Sequence, residues 1–252
     1  MNKSAADRNI YIYDGSFEGF LTTVFHVWGS KGPFGDIVSG SNDNPGFFDN
    51  DVYVTTDTAR AARVYNWISQ KLPEGTIERV YDYFMSEDEG REKRLYLYLR
   101  ACERLGRWTD SFLTNDAVRD FLDREKYFDR ELDHMRGWTR FSVLEGNVMF
   151  AEIKTEFNQL LRLGRFFLDR MPGTRFMIYD GGRHKAVVSD GRACALINDI
   201  KAEQINKGAA EDGFEKLWKS YLKALTIEER KNVKLQTQLL PLKYRRQMTE
   251  FR

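Results

Sequence analysis

Between Ile10 and Trp28 the chain changes its hydrophobic period from that of a strand to that of a helix. Ile10 to Tyr13 read as a short strand, and Asp14-Gly15-Ser16 is turn chemistry in which Asp14 or Ser16 can cap the next helix. Phe17, Phe20, Leu21, Val24, Phe25 and Trp28 then recur at helical spacing and mark one apolar face, with Gly29 as the stop. A strand, a tight turn and an amphipathic helix in some twenty residues place both element types in one fold.

The remaining pattern fills in that class. Residues 30–50, rich in Gly, Ser, Asn, Asp and Pro, read as a long loop, and Asp51 to Thr55 as a second strand. Thr56, Asp57 or Thr58 caps a helix carrying Ala61, Val64, Ile68 and Leu72. From Thr76 to about Arg136 the pattern is helical, with a new cap at Asn115 and an acidic face turned to solvent. The character changes at Trp138: residues 140–153 read as a hairpin, 156–170 as a helix, and 176–197 as three short strands joined by Gly turns. Phe214 to Leu225 form a further helical stripe, and Thr226 to Glu229 resemble a capping box opening a basic helix that Pro241 ends. The expectation is an α+β fold, helices around a central, mostly antiparallel sheet formed by a meander, with an N-terminal strand–helix unit. One composite sheet is expected to take in the first two strands, and residues 1–252 one domain, with sub-regions 9–137, 138–200 and 201–252.

The net charge of +1 gives no overall electrostatic signature, but its distribution does. Acids outnumber bases between Glu74 and His134, while Arg230, Lys231, Lys234, Lys243, Arg245, Arg246 and Arg252 face one acid, Glu250. Such an end either meets an anionic partner or docks on the acidic middle. The two cysteines, Cys102 and Cys194, sit among apolar neighbours outside any Cys-x-x-Cys pair, which fits a reducing cytoplasm and buried thiols. The start lacks an apolar signal region, and no run approaches the roughly 20 apolar residues of a membrane span. A soluble, cytoplasmic protein without a membrane partner is expected.

No motif spells out a reaction. Neither glycine-rich phosphate signature occurs, nor His-Glu-x-x-His, nor Gly-x-Ser-x-Gly. Neither a cofactor nor a metal is expected: the histidines His26, His134 and His184 are isolated, and two cysteines are too few for an iron–sulfur cluster. Asp14, Gly15 and Ser16 lie between strand and helix, where they shape either a pocket or partner surface or an ordinary cap. Weak acid–base candidates are Asp14 and Glu18, four apart on one helix face, with His134 and Asp180. Two segments interleave cations with rings: Arg136, Trp138 and Arg140 with Phe141, and Lys243, Tyr244, Arg245 and Arg246. Such sets pair phosphates and stack on bases, or anchor a core while the Arg heads reach water.

Several short motifs occur in a fixed order. They are Tyr13 to Gly19, His134, Arg140-Phe141, Glu156-x-Asn158-x-Leu160, Asp169-Arg170-x-Pro172, Ile178-Tyr179-Asp180, Leu240-Pro241-Leu242-x-Tyr244-Arg245 and Glu250-Phe251. Together they resemble an uncharacterised bacterial family described as a probable DNA metabolism protein. The resemblance implies a setting in DNA repair or modification and a radical-SAM partner protein encoded alongside. Some members are fused to a uracil-DNA-glycosylase-like domain. Phe166-Phe167 stands where the family has His-Phe, and Phe176 where it often has Trp. No catalytic residue is carried over. Three functions are consistent with this: a DNA-binding accessory protein, an enzyme acting on a nucleotide or nucleobase, and a protein-interaction scaffold.

Overall fold

The computed structural model describes residues 8–40, 51–144, 147–200, 240 and 242–245, and the chain divides into two compact units, Met1–Phe128 and Asp129–Arg252. The expected tail helices at 214–225 and 226–240, with Pro241, lie outside the described residues.

In the first unit, strands β1 (Asn9–Tyr13), β2 (Phe34–Ser39) and β3 (Asp51–Tyr53) form a parallel sheet of order β2-β1-β3. Helix α1 (Phe17–Gly29) follows β1, and α2 (Thr58–Lys71) follows β3 and packs beside α1. Four further segments complete the unit: α3 (Thr76–Phe84), α4 (Arg91–Leu105), a 3-10 turn (Gly106–Ser111) and the first half of α5 (Asp116–Trp138). Of the α1 stripe, Phe20, Leu21 and Val24 are buried, with Phe20 and Val24 fully enclosed, while Phe17, Phe25 and Trp28 are half-buried at its edges. Asn115 caps α5 by accepting from Ala117 N at 3.0 Å, and Asp57 caps α2 by accepting from Ala59 N at 2.9 Å.

Two expectations for this half are corrected. Residues 34–39 form a strand, not a loop, and its Gly and Asp mark a bulge: register slips where Asn9 pairs Phe34 but Ile10 pairs Asp36. A Cβ on Gly35 would lie 2.9 Å from the Asn9 carbonyl oxygen, so the glycine lets two backbones close. The acids of this helical stretch and its connections do not all face solvent. Asp88 is only 8% exposed and accepts from Arg94 at 2.7 Å, Arg124 at 2.6 Å and the Tyr83 hydroxyl at 2.6 Å. Arg79 is held between Glu125 and Asp110 and lies over the rings of Tyr98 and Phe121. Buried charges persist where they are paired in this way.

The second unit holds a separate five-stranded sheet of order β4-β5-β6-β7-β8, formed by Ser142–Leu144, Val148–Ile153, Phe176–Asp180, Lys185–Ser189 and Cys194–Ile197. The one composite sheet expected from the sequence is therefore two, because the first strands pair parallel among themselves. The second sheet is antiparallel except between β5 and β6, which α6 (Leu160–Arg170) connects. Leu132, Ile153, Leu160, Leu163, Phe167, Ile178 and Val187 form its core. Gly164 allows the helix to lie on the sheet, since a Cβ there would stand 2.6 Å from Val187. The turns at 172–173 and 190–191 meet backbone to backbone: Gly173 N donates to Gly191 O at 3.0 Å, and a Cβ on Gly191 would fall 2.5 Å from the Gly173 carbonyl carbon. A last turn of helix, α7 (Leu242–Arg245), closes the described chain. The α+β class stands, with a mostly antiparallel five-stranded sheet. Among the described residues no helix is long and apolar enough to cross a membrane.

Candidate functional sites

The first candidate is built at the carboxyl ends of the three parallel strands. Residues 12–15, 39–40 and 54–56 enclose a cleft of about 680 Å³. In open parallel sheets, ligands bind outside the carboxyl ends of the strands. β1 is the central strand of this sheet.

Asp14 organises this end. Its Oδ1 accepts from the backbone N–H of Ser16 at 2.9 Å and from the Ser16 hydroxyl at 2.7 Å, and its Oδ2 accepts from the Thr56 hydroxyl at 2.7 Å. Ser16 in turn caps α1 by accepting from Gly19 N at 2.9 Å. Burial pulls the Asp14 carboxyl upward, but the hydroxyls of Ser16 and Thr56 and the Ser16 N–H hold it below its ordinary value. One turn further along, the Thr22 hydroxyl donates to the Asp57 carbonyl at 3.1 Å and ties α1 to the start of α2. Gly15 takes φ +82°, the left-handed region, which frees the turn between β1 and α1.

Of the four acid–base candidates, Asp14 alone lines this cleft among the described residues. Glu18 is exposed in the first turn of α1. Asp180, in the second unit, is fully buried and accepts from Arg183 at 2.7 Å, from Gly182 N at 2.9 Å and from Thr155 at 3.2 Å. It braces the connections after β5 and β6. His134, also in the second unit, is exposed and stacks on Trp138 with ring centroids 4.6 Å apart. Among the described residues no His, Cys, Asp or Glu side chains cluster as a metal site. Cys102 is buried, and burial raises its thiol above the ordinary range; Cys194 is half-buried.

The second candidate is the surface around Trp138. The ring of Tyr244 lies 4.9 Å from that of Trp138, so the mid-sequence and carboxyl-terminal cation–ring segments come together. Arg136 lies over the Phe166 ring at 4.9 Å and pairs with Asp133 at 2.9 Å. Arg140 donates to the carbonyls of Gly137 and Thr139, and Arg245 donates to the Leu240 carbonyl at 3.1 Å. Tyr244 itself is buried at 8% exposure and donates to Glu131 at 2.8 Å. Glu131 also accepts the backbone N–H groups of Glu156 at 2.7 Å and Phe157 at 2.9 Å. The helix expected from Glu156 consequently starts at Leu160, because residues 156–157 are held out of it. The Lys243 side chain and all of Arg246 lie outside the described residues.

A family model for a domain of unknown function, DUF4130, matches residues 89–250, well over half of the chain. The chain belongs to the DUF4130 family. No curated protein matches it. The DUF4130 match takes in Asp88's partners Arg94 and Arg124 and the whole Trp138 surface. The Asp14 cleft precedes the DUF4130 region.

Three participants escape a reading of the sequence alone. Thr56 is one of three alternatives for a helix cap, Ser39 falls within an expected loop, and Glu131 carries no signal of its own. Their roles depend on partners 25 or more residues away, to which no local pattern points.

Proposed function

We propose that this protein is a DNA-metabolism accessory factor that holds nucleic acid at the Trp138 surface and works beside a radical-SAM or glycosylase-like partner. The partner and the setting come from the family resemblance. The observation that carries nucleic-acid binding is the meeting of Trp138 with Tyr244, which brings the segment holding Arg136 and Arg140 beside the one holding Arg245, with a half-buried indole between its cations and the exposed His134 stacked on it. Guanidinium groups around a flat ring combine phosphate neutralisation with base stacking. Tyr244, buried and bonded to Glu131, acts as the anchor beneath this surface, while Trp138 and His134 offer rings.

Fluorescence anisotropy with single-stranded and duplex DNA at low salt tests the reading. Binding weakens with salt, and each phosphate contact removed by Arg136→Gln or Arg140→Gln lowers the log–log slope by about 0.9 on duplex and about 0.7 on single strands. Trp138→Leu keeps an apolar side chain and forfeits stacking, with a loss of about 1–3 kcal/mol per stacked base. Absence of DNA binding at low salt, with and without the partner, would remove the proposal. Co-purification of a partner without nucleic-acid affinity would favour the scaffold. For the enzyme reading, one of the four acid–base candidates, Asp14, lines the cleft among the described residues.

A further inference from the structure

We propose that the cleft at the carboxyl ends of β1, β2 and β3 binds the vicinal diol of an uncharged ribosyl group, with Asp14 as the hydrogen-bond acceptor. A carboxylate offers about four acceptor positions, two on each oxygen. Ser16 fills both positions on Oδ1 through its N–H and its hydroxyl, and Thr56 fills one on Oδ2. Among the described residues no other side chain donates to Oδ2, so an acceptor position there is open to a ligand, in a carboxylate whose bonds to Ser16 and Thr56 fix its orientation before any ligand arrives. Ser39 and Thr55, both exposed on the cleft wall, can each donate and accept. That combination, one ionised acceptor and two amphoteric hydroxyls, matches adjacent alcohol groups.

Charge narrows the choice further. The Asp14 carboxyl is held below its ordinary value, and among the described residues that line the cleft there is no Lys or Arg. A phosphate would meet a negative charge with no side-chain cation to offset it, whereas a neutral sugar meets no such opposition. The room is larger than a sugar needs: at about 680 Å³ the cleft falls within the roughly 300–1,000 Å³ that encloses drug-sized ligands, enough for a nucleoside. The walls are preset, because Thr56–Asp14 and Thr22–Asp57 join the β1–α1 and β3–α2 turns. The cleft belongs to the first unit, and DNA, which lacks the 2′-hydroxyl, is not its ligand.

Equilibrium dialysis of the full chain against radiolabelled adenosine tests the assignment, with ribose, adenine, adenosine monophosphate and inorganic phosphate as competitors. Saturable adenosine binding is expected, displaced by ribose and not by phosphate, with the monophosphate several-fold weaker than adenosine. Asp14→Asn should weaken adenosine binding about tenfold, as loss of a hydrogen bond to a charged group does. Because Asp14 also supports the α1 cap, Thr55→Phe serves as a second variant: it fills the cleft from an exposed position outside the Asp14 bonds and should abolish binding. The proposal is overturned if adenosine does not bind, if adenine competes as well as adenosine, if phosphate outcompetes ribose, or if both variants bind like the parent.

Discussion

Gly19→Ala isolates the physical chemistry of the Asp14 turn. Gly19 is the third residue of α1, where alanine would ordinarily be preferred by about 1 kcal/mol. Here a Cβ would lie 2.2 Å from Asp14 Oδ1, 2.9 Å from Thr56 Oγ1 and 3.0 Å from Ser16 Oγ. The three polar groups must separate to admit it. The Ser16 cap is worth about 1 kcal/mol. A hydrogen bond to a charged group is worth about 1.5–3 kcal/mol, and the lower end applies because Asp14 is exposed. Setting these losses against the gain in helix propensity leaves a net destabilisation of about 1.5 kcal/mol. Gly137→Ala is the matched control: it is also helical, nothing lies within 4 Å of its added Cβ, and it should stabilise by up to about 1 kcal/mol. Urea denaturation followed by circular dichroism reads both as shifts of the midpoint, in opposite directions. If Gly19→Ala is as stable as Gly137→Ala, the Asp14–Ser16–Thr56 arrangement does not support the fold.

Other outcomes depend on individual contacts. Asp88→Ala leaves Arg94 and Arg124 without their buried partner and should cost about 3–5 kcal/mol in denaturant melts. Burial pulls the Asp88 carboxyl upward, but Arg124, Tyr83 and Arg94 hold it below its ordinary value; its stabilisation is therefore complete above the usual carboxylate range and is lost as pH falls through the depressed value. An acid titration of the parent should show that loss, and one of Asp88→Asn should not. Tyr244→Phe removes one of the three donors to Glu131, should cost about 1 kcal/mol, and should speed proteolytic cleavage near α7. Cys102, buried with its thiol raised, should resist iodoacetamide at neutral pH until the chain is unfolded.

Local chemistry in the sequence reaches as far as local chemistry decides the fold. The α1 stripe, the Asn115 cap and the strands after Trp138 are legible because each depends on residues a few positions apart. β2 is not, since its ladder to β1 passes through the Gly35 bulge and only Ile37 among its side chains is buried. Nor is the division into two sheets, which arises from parallel pairing between strands that no hairpin joins. At the cleft, Asp14, Gly15 and Ser16 stand out as a strand-to-helix turn, but the bond from Thr56 spans 42 residues. The burial of Tyr244 likewise depends on Glu131, 113 residues earlier. A basic ring-containing segment reads as a surface until the carboxylate beneath it is known.

The paired glycines at 173 and 191 restrict how this part of the molecule can change. A side chain at 191 would strike main-chain atoms of its neighbour, which no rotamer can move aside, and φ there is +91°. Substitution at that corner must fall on the flanking, exposed Asp190 and Arg192. Peptide tags or labels inserted between β7 and β8 should disrupt packing, whereas the exposed stretch around Trp108 and Leu113 offers a gentler place for them.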